Sequence, residues 1–302
     1  MQISGHDVRV EYVNNIFLGP QTDTNEWQEW NNKVQDIASK IPPKVIEIKP
    51  IIQFLVASIA PSKIFMIKPD DHPEHEIVSN IDLLIVISGK CAIPFTELEP
   101  ILQIACLKNT NVCCSLHNEG SVVEGLRNGN IFYCLNFQPD NLVYDEILVD
   151  YPKVTAEALS EIKKLAKEKF NLAFTKAKDF YQLAVIFHQD YISEILGFLL
   201  HQSVELTYRA ILRSLNGQDK KTHEIRVLKK QVRRVAVKLN TIFPDDTVIE
   251  KGLLDELELA YLDARYSENG PMPPEFISVI LEKIDRLQNL AVQIVESKLG
   301  TS

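Results

Sequence analysis

The segment Gly197 to Gly217, GFLLHQSVELTYRAILRSLNG, constrains this chain more than any other stretch. Leu200, Val204, Tyr208, Ile211 and Leu215 recur at three- and four-residue steps, the period of a helix laying one face on a core. Beside that row, His201, Glu205 and Arg209 follow one another at four-residue spacing and form a polar stripe. Polar groups set among large apolar residues need partners, because an unpaired buried polar group costs about 1–3 kcal/mol. Two arrangements meet that need: a hydrogen-bond network that fixes helix register, or a row of side chains facing a ligand.

Three ordered motifs resemble the HEPN family. The first is the F-L-L-H-Q-x-x-E run from Phe198 to Glu205, followed by Arg209-Ala210 and a closing Asn216-Gly217. Lys221-Thr222-His223, standing before a further helix, is the second. The third runs from Ala260 to Tyr266, AYLDARY. The resemblance implies an all-α helical bundle that self-associates and, in some members, binds nucleotides in a basic cleft. It points to Lys221, His223, Tyr261 and Arg265 for phosphate contact and base stacking, and with His201 and Glu205 of the polar stripe these make up the candidate ligand-binding residues. Each has a structural alternative: Tyr261 as core, His223 as a helix cap, Arg265 as a partner of Glu205. The polar members of the set, all but Tyr261, are expected to converge at one cleft, where they satisfy one another's hydrogen-bonding needs.

The 302 residues suggest about two domains, and 45% hydrophobic with 24% charged residues is the balance of a globular protein. No apolar run reaches the length of a membrane span, and the N-terminus lacks the basic and apolar regions of a signal peptide. A cytoplasmic location with no membrane partner is the expectation. Cys91, Cys106, Cys113, Cys114 and Cys134 have no C-x-x-C spacing and read as buried, reduced thiols. A net charge of −9 argues against a general polyanion binder. Within it, residues 218–240 carry eight Lys or Arg against two acids, either as the solvated face of a helix or as a phosphate footprint.

The fold class expected is α+β: an extension over 1–40, a small mixed α/β domain over 41–150 and the helical bundle over 151–302. In the extension Thr24 is placed to cap a helix, and Pro42-Pro43 marks its end. The middle part reads as a helix from Ile46, strands at Lys63 to Lys68, Ile81 to Ser88 and Asn111 to Leu116, and a helix from Phe95 to Leu107. A helix at Val122 to Asn128 follows, and strand-like stretches at Ile131 to Phe137 and Leu142 to Tyr144 close the unit. In the bundle, Thr155 caps a helix through about His188 whose apolar face begins with Leu159, Ile162, Leu165, Phe170 and Phe174. Further helices are read at about His223 to Asn240, Val248 to Arg265 and Pro274 to Leu299.

The order of elements before residue 150 resembles a minimal nucleotidyltransferase domain. That family carries Gly-Ser after its first strand and an Asp-x-Asp pair on the next, which chelates magnesium. Here Lys68-Pro69 follows the first strand, and the second reads Ser79-Asn80-Ile81-Asp82. Asp82 matches the second carboxylate, Asn80 replaces the first, and no acid stands on the third strand. Nucleotidyl transfer needs two or three hard oxygen ligands around its metal ions, so Ser79, Asn80 and Asp82 read as a vestigial site. Magnesium is expected only if that site retains binding. The loop holding Asp71, His72, Glu74, His75 and Glu76 reads as solvated rather than metal-binding.

Many HEPN domains cut RNA with an Arg followed four to six residues later by His, and no His stands at that spacing here. The resulting expectation is a non-catalytic nucleotide-binding or regulatory protein that forms homo-oligomers through the bundle, with a nucleotide or RNA as ligand. A residual enzyme, nucleotidyltransferase or ribonuclease of toxin–antitoxin or defence type, and a structural assembly module are the alternatives.

Overall fold

The structure, a computed structural model, describes residues 48–67, 81–107, 112–146, 150–189, 195–219, 221–266 and 272–300, with the backbone alone described at 262–266. The readings made for 1–40, for Ser79 and Asn80, and for the loop at 71–76 lie outside the described residues.

The described chain is α+β, a four-stranded mixed sheet followed by a helical bundle. The first part contains α1 (Ile48–Ile59), β1 (Lys63–Ile67), β2 (Ile81–Ile87), α2 (Phe95–Cys106) and β3 (Val112–Asn118). It continues with α3 (Glu119–Arg127), α4 (Ile131–Asn136) and β4 (Leu142–Asp145). The strands lie in the order β3-β2-β1-β4. β1 is antiparallel to both β2 and β4, and only the β2–α2–β3 crossover is parallel. The βαβ alternation read from the sequence therefore holds for one unit, and antiparallel pairing supplies the rest.

Alternation along β2 divides the sheet's surroundings. Leu84 and Val86 join Phe65, Val122, Phe132 and Phe137 in one apolar cluster on the α3/α4 side. Leu83, Ile85 and Ile87, also buried, point to the opposite face by the period of two. Ile131 to Phe137, expected as a strand, forms α4. The Asn130 side chain accepts from the Phe132 N–H at 3.0 Å, which caps a helix where a short apolar run alone is ambiguous.

The bundle comprises α5 (Ala156–Gln189), α6 (Leu196–Ile211), α7 (Ile225–Val232), α8 (Val248–Tyr266) and α9 (Pro274–Leu299). Thr155 caps α5 through its hydroxyl, which accepts from the Ala158 N–H at 3.2 Å. The apolar row of α6 is buried as expected, with Leu200, Val204, Tyr208 and Ile211 fully enclosed. Its last turn widens into a π-turn over Leu212–Asn216 and closes on Gly217, whose φ of 71° is the left-handed cap that favours glycine. A buried polar staple ties three helices together: Ser203 on α6 and Gln288 on α9 both donate to the Ala177 carbonyl of α5. Gln288 also donates to the Ser203 hydroxyl.

Two expectations for the bundle are corrected. Leu165, placed on the inward face of α5, is 47% exposed, whereas Phe170 and Phe174 are buried as expected, together with Ala166 and Ala173. The helix expected from His223 to Asn240 stops at Val232, turns, and resumes as a 3-10 helix at Val237–Thr241. Lys229 and Lys230 fill its last turn and Arg233 its C-cap, positions where cations complement the helix dipole. The turn lets Ala236, Leu239, Ile242 and Phe243 all enter the core. The cysteines are likewise not uniformly buried: Cys134 is enclosed, Cys91 is exposed, and the other three lie between.

The sheet layer and the bundle belong to one compact unit, so contacts between them are part of the fold. Among the described residues no helix is long and apolar enough to cross a membrane.

Candidate functional site

The polar stripe of α6 forms a closed network. The Glu205 carboxylate, 1% exposed, receives Arg209 on one oxygen at 2.9 Å, and Gln202 at 2.9 Å and His223 Nδ1 at 3.0 Å on the other. His201 has both ring nitrogens occupied: Nε2 donates to the His223 carbonyl at 3.0 Å and Nδ1 accepts from Gln202 at 3.3 Å. Burial first of all, against the opposing pull of Glu205, lowers its pKa to about 4, so the ring is neutral at pH 7. Tyr261, 7% exposed, stacks on His223 with centroids 4.4 Å apart and tilts against His201 at 4.8 Å. Arg209 passes the chain of charge outward to Asp219, which also holds Arg213 at 2.6 Å. The two guanidiniums take Asp219 down to about pKa 2.

Of the five residues expected to converge, His201, Glu205 and His223 contact one another, and Tyr261, which was not among the five, packs on both imidazoles. Both Glu205 oxygens and both His201 ring nitrogens are engaged within the row, as a register-fixing network requires, while the His223 side chain remains half exposed. Glu205 takes Arg209 as its cation. Lys221 is exposed and makes no ion pair with a described residue; the Arg265 side chain lies outside the described residues.

An opening does occur where the sheet meets the bundle. A cavity of about 80 Å³ is lined by Asp82 at the start of β2, by Asn136 of α4, by Arg233, Arg234 and Lys238 from the turn after α7, and by Lys298 near the end of α9. Asp82 is the one described carboxylate in its wall. In the parallel register Asp82 pairs with Cys113, so the two side chains share a face. Arg233 donates to the Cys113 sulfur at 3.4 Å. Burial raises the Asp82 carboxyl to a pKa of about 6, with Lys298, Arg233 and the Cys113 thiol pulling the other way. Arg233, Arg234, Lys238 and Lys298 make no ion pair with any described carboxylate.

The sequence marked Asp82 and the basic run 218–240 separately. Nothing in it joined them, and Lys298 went unremarked. Four cations around one partly protonated carboxylate repel a divalent metal and attract an oxyanion. Among the described residues no cluster of His, Cys, Asp or Glu is suited to holding a metal.

The described residues form a small mixed sheet packed on a helical bundle, with a cationic seam between them beside Asp82. Residues 170–295 match the family model of the HEPN domain. Among solved structures, the chain is similar to a nucleotidyltransferase-like protein from Exiguobacterium sibiricum 255-15, with 13% identity, 83% of this chain and 77% of that one covered, and a TM-score of 0.27. No curated protein matches the chain.

Proposed function

We propose that this chain is a non-catalytic binding protein for phosphate-bearing ligands, nucleotides foremost, in which a degenerate nucleotidyltransferase-like unit and the HEPN bundle share one cationic cleft. On this reading the first unit spans about 41–150 and the second 151–302. The carrying observation is the charge of the cavity, whose described lining sets four cations against the one carboxylate of Asp82. A transferase site concentrates carboxylates to hold magnesium, whereas here Arg233 and Lys298 stand where positive charge can meet phosphate oxygens directly. The volume accommodates roughly five or more waters, which suits phosphoryl groups rather than a whole nucleoside. Titration calorimetry with ATP, GTP and pyrophosphate, each with magnesium and with EDTA, tests the reading. Binding that persists in EDTA is expected; binding that requires magnesium, or transfer of a labelled nucleotide to protein or RNA, overturns it.

Self-association through the bundle is part of the same reading, and α5 supplies the observation in its favour. Leu165, Leu172, Leu183 and Ile186 are 47%, 78%, 43% and 51% exposed. Steps of seven, eleven and three residues put them on one side of a helix about 51 Å long. A second copy of α5 is the occupant that such a stripe fits.

A further inference from the structure

Cys106 is the last residue of α2 and Cys114 lies on β3, and their sulfurs are 3.4 Å apart. Two thiols held this close are in van der Waals contact and need to approach by little more than 1 Å to reach a bond of about 2.05 Å. The sheet selects the pair. Cys113 shares the Asp82 face and accepts from Arg233, while alternation turns Cys114 to the other face, where the end of α2 packs. Adjacent cysteines are thereby separated by the plane of the sheet, and only one of them meets Cys106.

We propose that Cys106 and Cys114 are a reversible dithiol–disulfide site, closed by a peroxide-class oxidant, that staples α2 to β3. The hydrogen bond between the two sulfurs lowers the pKa of Cys106 and raises that of Cys114, so Cys106 supplies the thiolate. Its sulfur attacks one oxygen of hydrogen peroxide; the O–O bond breaks, and hydroxide leaves to take up the Cys106 proton as water. The sulfenic acid formed carries the two-electron oxidation. Cys114 sulfur then attacks Cys106 sulfur, the S–O bond breaks, and the hydroxyl departs with the Cys114 proton as a second water. Two thiols and one peroxide give one disulfide and two waters. The bond lies away from Arg233 and Lys298, so this site stands or falls separately from the anion cleft.

The test uses the full chain with Cys91→Ser, which removes the exposed thiol. After hydrogen peroxide treatment, alkylation and peptide mapping, the free thiols are expected to fall by two, with a Cys106–Cys114 crosslink that dithiothreitol reverses. Adding Cys114→Ser is expected to leave Cys106 as a sulfenic acid that dimedone traps. The mapping needs no variant at either partner, and circular dichroism reports whether the double variant keeps its fold. A Cys106–Cys113 bond, or sulfinic acid at Cys106 without crosslink in folded protein, overturns the proposal. So does retention of both thiols at peroxide concentrations that oxidise Cys91 in the unmodified chain.

Discussion

Asp82 and Cys113 stand side by side in the parallel register of β2 and β3, and the sulfur of Cys113 accepts from the Arg233 guanidinium across 3.4 Å. An acid, a thiol and a guanidinium in that order, with Arg234, Lys238 and Lys298 beside them, leave a surplus of positive charge among the described residues facing the cavity. Reversing that charge is therefore the direct probe. Arg233→Glu is expected to weaken pyrophosphate binding by tenfold or more, about 1.4 kcal/mol, with Lys298→Glu similar and Lys221→Glu without effect, all by titration calorimetry.

The raised pKa of Asp82 gives a second prediction. Its folded value of about 6 lies above the ordinary 3.8, so the native state binds this proton more tightly than the unfolded chain. The sign is opposite to that of a salt-bridged acid: stability falls as pH rises from about 4 to 6, and the ionised group costs on the order of 3 kcal/mol above that window. Asp82→Asn is expected to raise the neutral-pH melting temperature and flatten this part of the profile.

Anion binding follows the same group. Sulfate keeps its double charge from pH 5 to 7.5, and Asp82 is the one described acid lining the cavity. Sulfate is expected to stabilise the protein more at pH 5 than at pH 7.5, with Asp82→Asn removing the difference. Thermal melts over a sulfate series at both pH values measure it.

Glu205→Ala separates the network on α6 from the cleft. It strands Arg209 and His223 around a buried vacancy and is expected to cost about 3–5 kcal/mol in urea denaturation. Pyrophosphate affinity of the remaining folded protein is expected to stay within twofold of the parent. A large loss of affinity with intact stability would instead assign the α6 row to the ligand.

Leu172→Glu addresses assembly. Light scattering at micromolar concentration is expected to show an oligomer for the parent chain and a monomer for the variant. The parent scattering as a monomer removes the self-association reading.

Close packing of α6 on α8 is open to the same kind of check. A Cβ at Gly197 would lie 2.8 Å from the Ala260 Cβ, where α6 crosses α8. Gly197→Val is expected to destabilise by about 1–3 kcal/mol through overpacking, read in the same urea titration.

The bundle was legible in the sequence because helical periodicity is local: the buried row of α6, the Thr155 cap and the Gly217 stop can all be read within a few turns. The α6 stripe was legible as a set needing partners, though not as one that closes on itself. Where α7 ends, and whether Ile131 to Asn136 coils or extends, depends on a cap and on core space that other segments provide. The cavity is further still from the sequence, since Asp82, Arg233 and Lys298 lie more than sixty residues apart along the chain and meet only through the packing of sheet on bundle. The pairing of Cys106 with Cys114 rather than Cys113 has the same origin, because strand register and sheet faces, not spacing, decide which thiol is turned toward α2. Local sequence fixes the rows each element presents, and the tertiary structure decides which rows face each other, because charge and sulfur contacts act over distances that only folding brings within reach.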